Sequence, residues 1–208
     1  MNRSMTLFVC ACSSTAEQRA LNPTVEGSTP FKRLHMPTEI SYKVGDALSP
    51  VGCLPIPRII AHICNDVGVF GAGFAKQIAE RYPRAKKRYL EQSKLGLELG
   101  KVIFVPVSDW TVVANMVAQH GLRGQSDRPP IRYDALRIAL THVARYATDE
   151  HSVHMPAIGT GLAGGSWTLI AGIIRITLCA NDVPVSVYSP TSHTLASLIN
   201  EDEQAGED

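Results

Sequence analysis

Two glycine-rich segments of the chain have the composition of loops that bind phosphate. The first, residues 65–74 (NDVGVFGAGF), follows an apolar run and precedes a helical pattern. Its Gly71 and Gly73 permit positive φ angles and close approach of the backbone, and amides at the start of a helix bind phosphate. A tight turn between a strand and a helix would use the same glycines, so this segment alone leaves both interpretations open.

The second segment, residues 159–167 (GTGLAGGSW), has four glycines in its first seven positions. Such a loop loses much conformational entropy on ordering, and a bound phosphate would offset this loss through several backbone N–H bonds. The segment is not a P-loop, because no Gly-Lys-Ser/Thr follows, and it does not fit the GxGxxG pattern of dinucleotide-binding folds. Two such loops would hold a diphosphate between them, whereas the alternative for this segment is a plain connection.

Four ionisable residues near these segments are candidates for recognising a ligand or transferring a proton. The carboxylate of Asp46 could accept a hydrogen bond from an exocyclic amine such as that of adenine, or it could form a turn. Histidine is the usual proton-transfer group near neutral pH, so His62 and His120 are candidates, against a buried core histidine and an ordinary loop histidine. Asp66 is a candidate for a base or for a residue that orients water.

Alternating strands and helices must position these residues. Apolar runs predict strands at 40–44, 58–64, 101–107, 111–118, 152–155 and 183–188, and helices are predicted within 71–81 and at 83–93, 131–147 and 166–179. This alternation indicates an α/β sandwich with a largely parallel or mixed sheet. Ligands bind at the carboxyl ends of the strands in such sheets, and both glycine-rich segments follow strands. We therefore expect both segments at the same edge of the sheet.

The two ends of the chain differ from its middle. Residues 1–37 lack periodicity, the folded domain is predicted at 38–190, and residues 191–208 are predicted to form an acidic, polar, solvated tail. The codons allowed for residues 27–30 include a run that reads like the T-arm of a transfer RNA gene. One hypothesis is therefore that translation begins at Met36, and the alternative is an ordinary disordered extension.

The composition excludes several classes of protein. The net charge is +1, so the whole chain has no strong nucleic-acid or anionic-membrane footprint, and an anionic ligand must be held locally. The run Lys86, Lys87 and Arg88 is expected to be a solvated helix face, with assistance to a nucleic-acid partner as the alternative. Five irregularly spaced cysteines form neither a disulfide framework nor a zinc quartet, which fits a reducing cytoplasm. No apolar run is long enough to cross a bilayer, and we expect a cytoplasmic monomer without a metal or cofactor.

Five motifs in order along the chain resemble the macro domain family, whose members bind ADP-ribose. They are GDA at 45–47, HICND with GAGFAKQIAERYP within 62–83, VANMVAQHG at 113–121, MPAIGTGLAGGSW at 155–167 and VPVSVY at 183–188. The resemblance spans about residues 39–189 and implies a three-layer α/β/α sandwich with a central mixed sheet. It points to the branch that contains terminal ADP-ribose protein glycohydrolases and ADP-ribose 1''-phosphate phosphatases.

The resemblance also implies a role for each matching position. Asp46 would bind the adenine amine with the Ala47 backbone beside it, and Tyr188 would lie near the adenine. The residues implied to act at the distal ribose and in catalysis are Asn65, Asp66 and His62. The residues implied to contact the diphosphate and distal ribose are Gly71, Ala72, Gly73, Phe74, Gly159, Thr160, Gly161, Leu162, Ala163 and Gly164.

Departures from the family pattern affect the expected reaction. Glycohydrolases of this branch use a lysine and an aspartate at positions that align with Gln119 and Ala163, and neither residue here performs that chemistry. The aspartate that another branch uses after its glycine triplet falls near Ala75. The expected function is ADP-ribose binding with hydrolysis of a derivative: ADP-ribose 1''-phosphate, O-acetyl-ADP-ribose or an ADP-ribosylated macromolecule. The alternatives are a reader that binds without catalysis and, more distantly, another nucleotide-binding protein, for example one that uses NAD.

Overall fold

One mixed sheet of six strands lies at the centre of the computed structural model, which describes residues 38–49, 57–147 and 151–203. The strands are β1 (Ile40–Val44), β2 (Arg58–Asn65), β3 (Val102–Ser108), β4 (Thr111–Gln119), β5 (Ser152–Pro156) and β6 (Val185–Ser189). Their spatial order is β1-β6-β5-β2-β4-β3, and all neighbours are parallel except β3 and β4, which a short turn joins as a hairpin. The mixed sheet expected from the sequence is confirmed.

Five α-helices pack on the two faces of this sheet within the described residues. They are α1 (Phe74–Arg81), α2 (Pro83–Ser93), α3 (Tyr133–Tyr146), α4 (Trp167–Thr177) and α5 (Ser192–Glu203). Side chains alternate along β2, so Ile59 and Ala61 join the core shared with α3 and α4, whereas Ile60 and Cys64 join the core shared with α1 and α2. Two cores on opposite faces of one sheet make the predicted three-layer α/β/α sandwich.

A sharp break separates α1 from α2. Pro83 is the first residue of α2, where its missing N–H costs nothing, and Tyr82 before it has a non-helical backbone. Ala85 and Tyr89 of α2 are fully buried against the sheet. The charged residues between them therefore lie on the outer face of the helix.

The order of the strands determines where the two glycine-rich segments lie. The first follows β2 and the second follows β5, and these two strands are parallel neighbours. Parallel strands end at the same edge of a sheet, so both segments leave the sheet side by side.

The helix α5 differs from the predicted solvated tail. Leu198 and Asp202 are buried, and both carboxylate oxygens of Asp202 accept hydrogen bonds from the guanidinium of Arg175. Asp202 also accepts a hydrogen bond of 2.6 Å from the hydroxyl of Tyr42. An acidic sequence predicts solvation only when no cation lies opposite it, and here Arg175 of α4 is that cation. The prediction of a solvated tail is therefore wrong for Ser192–Glu203.

All described residues belong to one compact unit, Met36–Asp208. The predicted extension at residues 1–37 lies outside the described residues, as do both hypotheses for its origin, and the proposed domain limits stay predictions. Within the described residues, none of the helices is both long and apolar enough to cross a membrane.

Candidate functional site

A cleft of about 310 Å³ lies where β2, β4 and β5 end. A volume of this order is typical of a small ligand site. The first glycine-rich loop lines one part of the cleft and the second lines another, and Gln119 and Leu122 after β4 also contribute. The lining residues from the two loops are Asn65, Val69, Phe70, Gly71, Ala72, Gly73, Phe74, Ala75, Gly159, Gly161, Leu162 and Ala163. The two loops therefore meet at one cleft, as the strand order requires.

The side chain of Asn65 holds the first loop in its shape. Its Oδ1 accepts hydrogen bonds from the N–H groups of Val67 (3.2 Å) and Val69 (3.0 Å), and its Nδ2 donates to the carbonyl of Val69 (2.6 Å). The hydroxyl of Tyr89 donates to the main-chain carbonyl of Asn65 at 2.7 Å, which connects the loop to α2. Asn65 lines the cleft as predicted, but most of its hydrogen-bonding capacity is used within the protein.

Main-chain amides of the first loop are available to a ligand. Within the described part of the chain, no residue accepts a hydrogen bond from the N–H groups of residues 71–75. Gly73 precedes α1 with φ 55° and provides no side-chain cap. The first amides of α1 therefore remain unpaired at the cleft, which is the arrangement that binds anions at helix starts.

The second loop has a similar run of unpaired amides. Its carbonyl groups accept hydrogen bonds from the N–H groups of Gly164 (3.1 Å), Gly165 (2.8 Å) and Ile131 (3.2 Å), which fix the loop. None of the described residues accepts a hydrogen bond from the N–H groups of residues 159–163. Two sets of free amides therefore line the same cleft.

Charged side chains are absent from the described lining of this cleft, which consists of apolar residues, glycines, Asn65, Gln119, His62 and Cys64. A carboxylate there would repel a phosphate, whereas amides attract it through their fixed dipoles. Arg123 lies outside this lining, although its guanidinium donates to the carbonyl of Gly161 at 3.4 Å, so an anion inside the cleft would rely on the backbone.

His62 lies beneath the first loop in the core. Its side chain is 2% exposed, its Nε2–H donates to Oδ1 of Asn115 at 2.6 Å, and its ring makes edge contacts with Phe70 and Phe74. Burial lowers the pKa of His62 to about 4, although the hydrogen bond with Asn115 acts in the opposite direction. The ring is therefore neutral at pH 7, and its burial disfavours the predicted catalytic role and favours the alternative of a core histidine.

Asp66 is turned away from the cleft lining and toward the residues after β4. Its carboxylate accepts a hydrogen bond from Nδ1 of His120 at 2.6 Å and one from the N–H of Gly121 at 2.9 Å. Burial alone would raise the pKa of Asp66, but the bonds from Gly121 and His120 outweigh it and lower the pKa. An ionised carboxylate only accepts hydrogen bonds, so the proton lies on Nδ1 of His120, and Nε2 is the acceptor when the ring is neutral.

The residues predicted to bind adenine lie along the same edge of the sheet, Tyr188 one strand from the cleft and Asp46 and Ala47 two strands from it. Tyr188 pairs with Pro156, which lines the cleft, and Gly45 N–H bonds to the carbonyl of Ser189 at 2.9 Å. Asp46 is exposed, and its Oδ1 accepts a hydrogen bond from Leu48 N–H at 2.9 Å, which forms the turn considered as its alternative role.

Two of the residues expected around adenine are buried. Ala47 is 2% exposed and Tyr188 is 3% exposed. The hydroxyl of Tyr188 is 3.0 Å from Nδ1 of His154, so the ring is held in the interior. This burial disfavours a stacking role for Tyr188.

Two predicted diphosphate ligands lie in the second loop but outside the cleft lining, and several lining residues were not predicted. Thr160 donates its hydroxyl to the carbonyl of Ala157 at 2.9 Å, and Gly164 has φ 68°, so both shape the loop. Leu122 lines the cleft from a polar segment that has no motif. The lining residues before the second loop, residues 156–158, could have been predicted because they end β5 at the ligand-binding edge.

Metal binding finds no support in side-chain geometry. No group of three or more His, Cys, Asp and Glu residues within the described ranges has the arrangement of a metal site.

Comparison with known proteins assigns the chain to a family. A model of the macro domain matches residues 61–174. The ADP-ribose 1''-phosphate phosphatase of Saccharomyces cerevisiae (strain YJM789) is 28% identical over 158 residues, which cover 62% of this chain and 88% of that protein.

Solved structures share the same fold. A Bacteroides thetaiotaomicron protein of unknown function is 42% identical, with a TM-score of 0.68 over 72% of this chain and 97% of that one. A macrodomain protein from Streptomyces coelicolor is 38% identical, with a TM-score of 0.63 over 73% of this chain and 99% of that one. Because the family model covers more than half of the sequence and these structures share its architecture, this chain belongs to the macro domain family.

Proposed function

We propose that this chain binds ADP-ribose, with the diphosphate between the two glycine-rich loops. The observation that carries the proposal is the pair of unpaired amide runs, residues 71–75 and 159–163, on one cleft without charged side chains in its described lining. A diphosphate provides acceptors for both runs, and the uncharged lining does not repel it. Membership of the macro domain family supports this ligand.

The two ends of the ligand would follow the edge of the sheet. Adenine would lie toward β6 and β1, with its amine on the exposed carboxylate of Asp46 and the Ala47 backbone beside it. The distal ribose would lie toward the end of β2, near Asn65 and Gln119, which both line the cleft. This direction keeps the ligand over the carboxyl ends of the parallel strands.

Hydrolysis of an ADP-ribose derivative is the finer part of the proposal. The Saccharomyces cerevisiae relative is a phosphatase that acts on ADP-ribose 1''-phosphate, which makes a related substrate reasonable here. The group that we assign to proton transfer is His120, whose free Nε2 would act as the base while Asp66 fixes the ring. Asn65 would act as a positioning residue because its side chain shapes the first loop, and His62 would support that loop from below.

A reader without catalysis is the second candidate. The observation that favours it is the absence of any charged group from the described cleft lining, together with Gln119 and Ala163 where glycohydrolases of this branch carry lysine and aspartate. A reader needs only the amides, because binding requires no proton transfer.

Two measurements test the proposal and separate the candidates. Calorimetry with free ADP-ribose should give saturable binding at one site, and NAD should compete weakly; no binding of ADP-ribose would refute the proposal. Incubation with ADP-ribose 1''-phosphate and with ADP-ribosylated protein should release phosphate or ADP-ribose if the chain is an enzyme. Loss of turnover in His120→Ala with unchanged ADP-ribose affinity would support the assigned base, whereas tight binding without turnover in the unchanged protein would establish the reader.

A further inference from the structure

Positive charge is concentrated in one layer of the molecule. The whole chain has a net charge of +1, yet residues 74–101 contain eight Lys and Arg residues and only three Glu residues. This segment includes α1 and α2 on one face of the sheet. The total charge therefore conceals a local cationic surface.

Five cations lie on α2 and at the residue that follows it; we name them the basic ridge, defined as Arg84, Lys86, Lys87, Arg88 and Lys94. Ala85 and Tyr89 are fully buried beneath it, so the neighbouring positions project outward. At a rise of about 1.5 Å per residue, the ridge extends over about 15 Å.

Few of these charges are neutralised. Arg88 pairs with Glu91 at 3.2 Å between exposed side chains, an interaction of small energy. No other described residue forms an ion pair with the remaining members of the ridge. A row of like charges without partners raises the local potential and attracts anions.

The surface beside the ridge is concave. Arg84, Lys87 and Arg88 form one side of a groove of about 380 Å³, and Phe104 and Pro106 of the edge strand β3 form the other. A second depression of about 390 Å³ lies along the same helix between Lys86 and Lys94. Glu91 also lines both depressions, but it pairs with Arg88, and the cations outnumber it in each lining. Grooves with such walls suit a polymer strand better than a flat bilayer surface.

The ridge ends beside the candidate cleft. A Cβ atom added to Gly68 of the first loop would lie 3.0 Å from Ser93 at the end of α2. Tyr89 of the same helix bonds to the carbonyl of Asn65. One end of the basic ridge therefore lies next to the loop that lines the cleft, and the ridge extends away from the cleft.

We propose that the basic ridge binds the phosphate backbone of a single nucleic-acid strand. One strand of duplex DNA has a phosphate for each rise of about 3.4 Å along the helix axis, and a single strand is more extended, so a ridge of about 15 Å faces at most four to five phosphates. Flexible Lys and Arg side chains contact such phosphates without reading the bases. The proposal does not depend on the ligand of the cleft.

Fluorescence anisotropy of the full chain with a labelled 12-nucleotide DNA or RNA tests this proposal. We expect binding at 50 mM salt that weakens as salt rises, with a log–log slope no steeper than about −3, the value for release of four to five counterions from a single strand. The double variant Lys87→Glu/Arg88→Glu should weaken binding at least tenfold. The matched control Arg137→Glu/Arg145→Glu, on the exposed face of α3 in the opposite layer, should change it less than twofold.

Calorimetry with ADP-ribose should give the same affinity for both double variants, and circular dichroism should give the same fold. Failure of the cleft to bind ADP-ribose would leave the nucleic-acid result intact, so the two proposals fail separately. The ridge proposal is overturned by no binding at 50 mM salt or by equal losses in both double variants. Tighter binding to vesicles of anionic phospholipid than to the oligonucleotide would also overturn it and would indicate a membrane surface instead.

Discussion

The two glycine-rich loops reach the same cleft but are held by different forces. Polar contacts hold the first loop, because Asn65 bonds to the N–H groups of Val67 and Val69. The second loop has backbone hydrogen bonds and close apolar packing, because a Cβ atom on Gly159 would lie 2.8 Å from Cδ1 of Ile170 and 3.1 Å from Cδ1 of Ile131. The first loop therefore depends on the side-chain amide of Asn65. The second loop requires that residue 159 has no side chain.

This difference separates glycines that serve folding from glycines that serve a ligand. A Cβ atom on Gly71 or Gly161 would meet nothing within 4 Å, although Gly71 has φ 143°. Open space beside these glycines lies on the cleft, which both residues line. Stability and binding should accordingly respond to different substitutions within a single loop.

The largest expected effect is on Gly159. Gly159→Ala forces a side chain into a residue with φ 80° and against Ile170, which combines left-handed strain with overpacking. The free energy of unfolding should fall by about 4 kcal/mol, measured by urea denaturation. A loss below about 1 kcal/mol would mean that packing does not hold the second loop.

The support beneath the first loop should depend on pH. The pKa of His62 is lowered to about 4 in the folded chain, against about 6.5 when unfolded, so the unfolded state binds the proton first. The contribution of neutral His62 to the free energy of unfolding is complete above pH 6.5. About 3 kcal/mol of it is lost as the pH falls toward 4.

The variant His62→Gln should flatten this pH dependence, while the control His142→Gln on the exposed face of α3 should not. Burial also lowers the pKa of His154 to about 4, so part of the pH dependence of the free energy of unfolding should remain in His62→Gln. Denaturation curves between pH 4 and 7 measure the effect, and an unchanged slope in His62→Gln would contradict it.

A charge in the second loop should affect binding without affecting stability. Gly161→Glu introduces a carboxylate beside the proposed diphosphate. It should weaken the binding of ADP-ribose at least about 100-fold, which corresponds to about 2.7 kcal/mol. Gly161→Ala is the matched control, because its Cβ atom has open space and should leave both affinity and stability nearly unchanged. Normal affinity in Gly161→Glu would remove this loop from the binding site.

Loss of the Asn65 side chain should loosen the first loop. Asn65→Ala leaves the N–H groups of Val67 and Val69 without their acceptor and should lower the free energy of unfolding by about 2 kcal/mol. Hydrogen exchange of these two amides should accelerate in the variant. Equal protection in the two proteins would show that the loop does not depend on Asn65.

The smallest effect is expected at the proposed adenine site. Asp46→Ala should weaken ADP-ribose by about 1.5 kcal/mol, roughly tenfold, as for the loss of one charged hydrogen bond. Calorimetry measures the change. An unchanged affinity would move the adenine away from β1.

Local sequence patterns predicted the fold well. The features that these patterns did not predict depend on contacts between residues far apart in the sequence. Pro83 marked the start of α2, and the order of strands and loops put both glycine-rich segments on one edge. The partner of Asp66 could not be predicted, because His120 is 54 positions away and reaches it only through the pairing of β2 with β4. Likewise, the Arg175–Asp202 pair that buries the end of α5 depends on two helices whose arrangement no short motif encodes.

Alternation along β2 puts His62 and Cys64 on one face of the sheet, but the sequence does not show which layer covers that face. The structure covers it with α1 and α2 and makes both residues interior. Burial then lowers the pKa of His62, a property that depends on the folded surroundings and not on the sequence around the residue.

Burial lowers the pKa of His62 to about 4 and raises the pKa of Cys64, so both ionisable side chains in the described lining of the cleft are uncharged near pH 7, which has a consequence for solution behaviour. Peptide N–H groups do not gain or lose protons in the physiological range, unlike a histidine side chain. A pocket built from such groups would keep the same attraction for a diphosphate in acidic and alkaline compartments alike. Any change in binding affinity with pH would originate in the ligand or in unfolding of the protein.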